Sequence, residues 1–166
     1  YQARAQACLD QALADFRDPH QIGYYFTAEG AATPVARRKE WFDNATPSGN
    51  SVMLHALGGL HALTGESRYA DELAATLPAY ADYARKVAAG VAHALEAAAV
   101  HQAGITVIKV GANAALPALR EALAAKPWRR IFIQQSADCA PTHYQVCQGT
   151  QCHAPTEDLD SALALF

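Results

Sequence analysis

Alanine occupies 38 of the 166 positions, and only 47 further residues complete an apolar share of 51%. Alanine is the strongest helix former and brings little side-chain surface. A chain built this way folds most readily as helices whose backbones approach closely, not around a core of bulky side chains. Its length suffices for about one domain with a core of its own. Charged residues make up 17% and the net charge is -3, which excludes a disordered polyelectrolyte. Lys+Arg (13) are outnumbered by Asp+Glu (16), and no basic run exceeds Arg37-Arg38-Lys39, so no nucleic-acid partner is expected. Every apolar run is interrupted well short of the roughly 18 residues that a membrane span needs, so no membrane partner is expected either.

The apolar positions divide the chain into segments. Ala5, Cys8, Leu9, Ala12, Leu13 and Phe16 recur at helical spacing, which predicts a first helix and makes Cys8 a small core residue. Asp18-Pro19 ends it, and Gly23 to Thr27 reads as a short extended aromatic piece. Residues 28–50, with Pro34, Pro47 and Gly49, form a connection long enough to suggest a functional or covering element. A second helix is expected from about Ser48 to Leu63, stopped at Thr64-Gly65, and a third after Ser67 to about Val87, kinked at Pro78. The fourth, from about Val91 to Gln102, is apolar nearly all round, with His93, Glu96 and His101 as its polar marks. The period then changes. Ile105 to Val110 is a β-branched run, Ala114 to Ala125 a helix and Arg130 to Gln135 a second strand, which together predict a βαβ unit with parallel strands and a right-handed crossover. A third strand is expected at Tyr144 to Cys147, and a last helix after Thr156. The register that puts Tyr1 on Tyr69 also puts Ala7 on Ala75 and Leu9 on Leu77, a faint repeat of the length of a helical hairpin with long loops.

The densest polar cluster is Asp43-Asn44-Ala45-Thr46-Pro47-Ser48-Gly49-Asn50-Ser51, at the entry to the second helix. Thr, Ser and Asn cap free N–H groups there, and that role alone accounts for the composition as well as any other. A helix N-terminus also offers aimed donors and partial positive charge. On the functional reading Asp43 is a candidate acid/base and Asn44, Thr46, Ser48 and Asn50 are candidate ligand-binding residues, with Trp41-Phe42 as an apolar wall. His55 follows the cluster closely and joins Asp43 as a candidate catalytic residue. His55 and His61 stand at i and i+6, which do not share a helix face, so no metal ligands are assigned.

Three of the four cysteines crowd near the C-terminus. Cys147-Gln148-Gly149-Thr150-Gln151-Cys152 reads as a structural turn, as a small disulfide loop, or as half of a metal site with Cys139, His143 or His153. It has neither the second ligand pair of a zinc finger nor the C-x-x-C of a redox site. Gly111-Ala112-Asn113 lacks the phosphate-binding glycine patterns and reads as an ordinary βα turn. No cofactor is expected from these motifs.

Phe42 to Ser51, then Leu63-Thr64-Gly65 with Arg68-Tyr69, then Tyr144-Gln145-Val146-Cys147, Cys152 and Pro155-Thr156, together resemble the C-terminal region of the spermatogenesis-associated protein 20 / YyaL family. The resemblance implies an upstream thioredoxin-like domain joined to an (α/α)6 toroid similar to N-acylglucosamine 2-epimerases and six-hairpin glycosidases. On that basis the fold class is mainly α with a small α/β part. Residues 1–104 would be helical hairpins of a partial toroid, and residues 105–166 a small α/β C-terminal appendage. Such toroids place pocket residues at the N-terminal ends of inner helices, where Asp43 to Asn50 and His55 stand. The chain, opening at Tyr1 within a helical pattern, would be the tail of a longer protein that binds or processes a carbohydrate-like ligand. The alternative is a non-catalytic scaffold or interaction module for the thioredoxin-like domain. Expected partners are upstream domains of the same chain and a sugar-like small molecule. Self-association is also expected, covering the apolar flanks of the end helices, and the expected compartment is the cytoplasm.

Overall fold

The computed structural model describes residues 1–32, 35–125 and 130–165; Pro34 of the long connection lies outside the described residues. The chain is about 52% helical with one four-stranded sheet, so it is mainly α with a small α/β part. It divides into two units, Tyr1–Gln102 and Ala103–Phe166.

The first unit is helical. Helix α1 (Gln2–Phe16) packs on α2 (Gly49–Thr64), and α2 packs on α3 (Ser67–Thr76). Ser48 caps α2, its side chain accepting from Ser51 N, and Gly65 ends the helix at φ 73°, a left-handed geometry that glycine adopts without a Cβ clash. The core holds Leu9 of α1, Leu54, Leu57 and Leu60 of α2, Tyr69 and Leu73 of α3, and Val91, Ala94 and Ala97 further on, with Tyr24 and Tyr80 from the connections. Cys8 is exposed, against expectation. At about 100° per residue it falls beside Leu9, at the edge of the α1 stripe and not on it.

The third expected helix is divided more sharply than a kink. Pro78 has no N–H to give and its ring crowds the preceding turn. The backbone passes through a 3₁₀ turn at Leu77–Tyr80, resumes as α4 (Ala81–Val87), makes a second 3₁₀ turn at Ala88–Val91, and continues as α5 (Ala92–Ala103). The aromatic piece at 23–27 forms no strand; Tyr24 makes one isolated bridge with Arg17.

The second unit is a sheet in the order β2-β1-β3-β4, with β1 at Thr106–Val110, β2 at Ile131–Gln135, β3 at Tyr144–Gln148 and β4 at Gln151–Cys152. Strands β1 and β2 are parallel, as the βαβ reading requires, while β3 is antiparallel to β1. Helix α6 (Leu116–Ala124) and the short α7 (Leu159–Leu163) contribute Leu119 and Ala162 to one core with Ile108, Val110, Tyr144 and Val146. Gly111 follows β1 because the loop at 140–141 passes against it. A Cβ there would stand 2.0 Å from the carbonyl oxygen of Ala140. Strand β4, two residues long, is too short to show a period in the sequence. It closes a hairpin whose paired Cys147 and Cys152 are joined by a disulfide.

Candidate functional site

The polar cluster before α2 is tied together by one carboxylate. Asp43 Oδ1 accepts the backbone N–H of Ser48 at 2.9 Å and the hydroxyl of Ser51 at 2.8 Å. Its other oxygen, Oδ2, accepts the backbone N–H of His93, at the start of α5, at 2.9 Å. The Asp43 N–H itself donates to Gly90 O at 2.7 Å. Burial alone would raise the pKa of Asp43, but the bonds from Ser48, His93 and Ser51 outweigh it and hold the carboxyl below its usual value. The loop before α2 is therefore clamped to the N-terminus of α5.

Asn50, buried at 2% exposure, holds the other side of the loop. Its Oδ1 accepts Tyr24 N at 2.8 Å, and its Nδ2 donates to Tyr24 O and Glu40 O, both at 2.9 Å. These bonds replace the ladder that residues 23–27 do not have. The Trp41 ring lies edge-on to Tyr80 and stacks near Tyr83, and Phe42 meets Tyr83 at 4.9 Å. Burial pushes the Tyr80 hydroxyl up to about 12 against an opposing pull from the nearby Ser48 side chain, and the hydroxyl makes no hydrogen bond of ordinary geometry among the described residues.

A hollow of about 380 Å³ opens beside this clamp. Asp43, Asn44, Ala45, Thr46 and Pro47 form one wall; Ala89, Ala92, His93 and Glu96 form the other. Of the residues singled out in the sequence, Asp43, Asn44 and Thr46 line it. Trp41, Ser48 and Asn50 do not. The hydrogen-bonding capacity of Ser48 and Asn50 is committed to the cap and to Tyr24 and Glu40.

His55, 7% exposed, lies on α2 next to the α5 wall. Its Nε2 sits 2.9 Å from the carbonyl oxygen of His93; a carbonyl only accepts, so Nε2 carries the proton in this arrangement. The His55 and His93 rings are 4.0 Å apart at 43°. Glu96 Oε2 reaches His93 Nδ1 at 3.4 Å and His55 Nε2 at 3.7 Å. His93 and Glu96 are the residues that the sequence marked only as polar points on an apolar helix. Their i,i+3 spacing gives them one face, but nothing local says that this face meets His55.

A second hollow, about 290 Å³, lies near Asp18 and Glu72, where the charges are already paired. Lys39 Nζ stands 2.7 Å from Asp18 Oδ2 and Arg17 Nε 3.0 Å from Glu72 Oε1. The Lys39 ammonium and the backbone N–H of His20 hold the Asp18 carboxyl well below the usual carboxylate range.

Fold and site together define a helical unit with a polar hollow at helix N-termini, followed by a small α/β unit with a disulfide-closed hairpin. No family model matches the chain. It is similar to spermatogenesis-associated protein 20 of Rattus norvegicus, 33% identical over 88 residues that make up 52% of this chain and 11% of that protein. It is also similar to the Mus musculus protein of the same name, 38% identical over 73 residues, 43% of this chain and 9% of that protein. The matched stretch is thus about a tenth of the length of these curated relatives, and the matches support the family relationship read from the sequence motifs. Among the described residues no helix is long and apolar enough to cross a membrane.

Proposed function

We propose that the hollow between the Asp43–Pro47 loop and the start of α5 binds a carbohydrate-like small molecule, within a set of helical hairpins that belongs to an α/α toroid of a longer protein. The observation that carries this reading is the composition of the two walls. Asn44 and Thr46 are exposed hydrogen-bonding side chains on one wall, and His93 with Glu96 offers a basic and an acidic group on the other. The volume, about 380 Å³, is in the range of small-molecule sites. A ligand rich in hydroxyls suits walls that carry polar groups on both sides, with Ala45, Pro47, Ala89 and Ala92 between them to meet its carbon face. In this reading Asp43 positions the loop and does not exchange protons, because its oxygens are already engaged and its carboxyl is held ionised. The groups left to act on a bound ligand are His93 and Glu96 on the wall, with His55 behind them. Titration calorimetry with a panel of monosaccharides, disaccharides and sugar acids tests the reading. Binding of at least one sugar, weakened tenfold or more by Asn44→Ala with Thr46→Ala, supports it. No binding across the panel by folded wild-type chain sinks it.

The commitment of Ser48, Asn50 and Asp43 to caps and loop contacts favours a second reading, a scaffold for an upstream thioredoxin-like domain. That reading expects the Asn44/Thr46 double variant to leave every measured interaction of the protein unchanged.

A further inference from the structure

We propose that His55, His93 and Glu96 form a binding site for a divalent first-row transition metal ion. The three side chains each offer one ligand atom, and these atoms all lie within 4.8 Å of one another. The separations of 3.4 Å from Glu96 Oε2 to His93 Nδ1 and 3.7 Å to His55 Nε2 are the telling ones. A tetrahedral ion with bonds of about 2.1 Å holds its ligand atoms roughly 3.4 Å apart. Two of the three separations are therefore near coordination spacing before any ion enters, and the third, between the two imidazoles, is at most 4.8 Å and closes on loading. Two imidazoles and one carboxylate are a donor set for zinc, iron, cobalt or nickel and not for calcium or magnesium, which take oxygen. Three protein ligands leave at least one coordination position, and His93 and Glu96 present it to the hollow that they also line.

The supporting structure fixes two of the three ligands. His93 and Glu96 share a face of α5, and the start of that helix is held by the bond from His93 N to Asp43 Oδ2. His55 is buried on α2, and its ring must swing off the His93 carbonyl before Nε2 can face an ion. Loading requires one exchange. His55 Nε2 gives up its hydrogen bond to the His93 carbonyl, 2.9 Å away, and the ring takes the tautomer with its proton on Nδ1, leaving the Nε2 lone pair for the metal. No net proton is lost in that change.

The proposal does not depend on the hollow's ligand being a sugar, and its test contains no sugar. The chain, stripped with chelator and carrying Cys8→Ser to remove the one exposed free thiol, is titrated with Zn²⁺ by calorimetry and with Co²⁺ by visible absorption. One ion per chain is expected, with a cobalt d–d band, and a loss of affinity of tenfold or more in His93→Ala and in Glu96→Gln. His101→Ala and His153→Ala should bind as the parent does. Glu96 is 57% exposed at its side chain, so Glu96→Gln keeps the fold and remains decisive even if His55→Ala does not. Absence of stoichiometric binding, or binding that Glu96→Gln and His93→Ala leave unchanged, overturns the proposal and reduces the cluster to a His93–Glu96 contact beside a second, tilted histidine.

Discussion

Asp43 and His93 are fifty residues apart in sequence and joined by one hydrogen bond, from the backbone N–H of His93 to Asp43 Oδ2 at 2.9 Å. That carboxylate ties the entry of α2 to the start of α5, and its charge is part of the tie. Its folded-state pKa is depressed, so the unfolded chain binds the proton more tightly. The stabilisation is complete above the unfolded value of about 3.9 and is lost as pH falls through the folded value. Asp18, held by Lys39, contributes in the same direction. Urea melts from pH 7 to pH 2 should show the share of stability that these two carboxylates carry being lost below about pH 4. Asp43→Asn should lose about 2 kcal/mol at neutral pH and show a shallower acid limb. A limb of unchanged steepness would remove Asp43 from the account.

Asn50→Ala should be among the most destabilising single changes in the helical unit. It strands the N–H and carbonyl of Tyr24 in a buried position and the carbonyl of Glu40 in a half-buried one. The expected loss is about 3 kcal/mol, since buried backbone groups without partners cost about 1–3 kcal/mol each and some regain water. Chemical denaturation measures it; a loss below about 1 kcal/mol would mean that the loop finds another set of bonds.

Tyr80→Phe should behave oppositely. The Tyr80 ring packs edge-on to Trp41, but its buried hydroxyl has only the Ser48 side chain near it and makes no hydrogen bond of ordinary geometry among the described residues. Removing that oxygen keeps the ring and abolishes a desolvated polar atom, so stability should stay level or rise by up to about 1 kcal/mol. A clear loss in thermal melts would reveal a partner for the hydroxyl.

Thiol titration should find one fast-reacting cysteine, Cys8, and a second, Cys139, only after unfolding. Reduction should add two more, from Cys147 and Cys152. Closing so short a loop restricts the unfolded chain modestly, so reduction should cost the α/β unit about 2 kcal/mol. Four thiols in the unreduced, unfolded chain would contradict the bridge.

What could be read from the sequence is what depends on near neighbours. The cap at Ser48, the stop at Gly65 and the β-branched runs of β1 and β2 each carry their signal within a few residues, and each element forms where that signal lies. Pro78 was legible as a break, but the extent of the break was not, because the second 3₁₀ turn at Ala88–Val91 follows from no single residue. Asn50 reads in sequence as a capping or ligand-binding residue at a helix start; only the absence of a strand at Gly23 to Thr27 gives it a buried task. Cys8 shows the reverse error, an apolar residue at the flank of a stripe and so exposed. His93 and Glu96 stayed hidden because their partner His55 lies 38 residues from His93, and their meeting depends on where the Asp43 bond starts α5.

The aromatic packing before α2 makes the helical unit its own optical instrument. Trp41 rests on Tyr80 and Tyr83, two residues ahead of the carboxylate that clamps the hollow. Loss of that packing moves the indole from a ring-lined setting into water, with the red shift and quenching that follow. With Trp128 replaced by Phe, so that Trp41 is the sole indole, its emission is a label-free gauge of whether each substitution at Asp43, Asn50, His93 or Glu96 has changed a site or merely melted the helices around it.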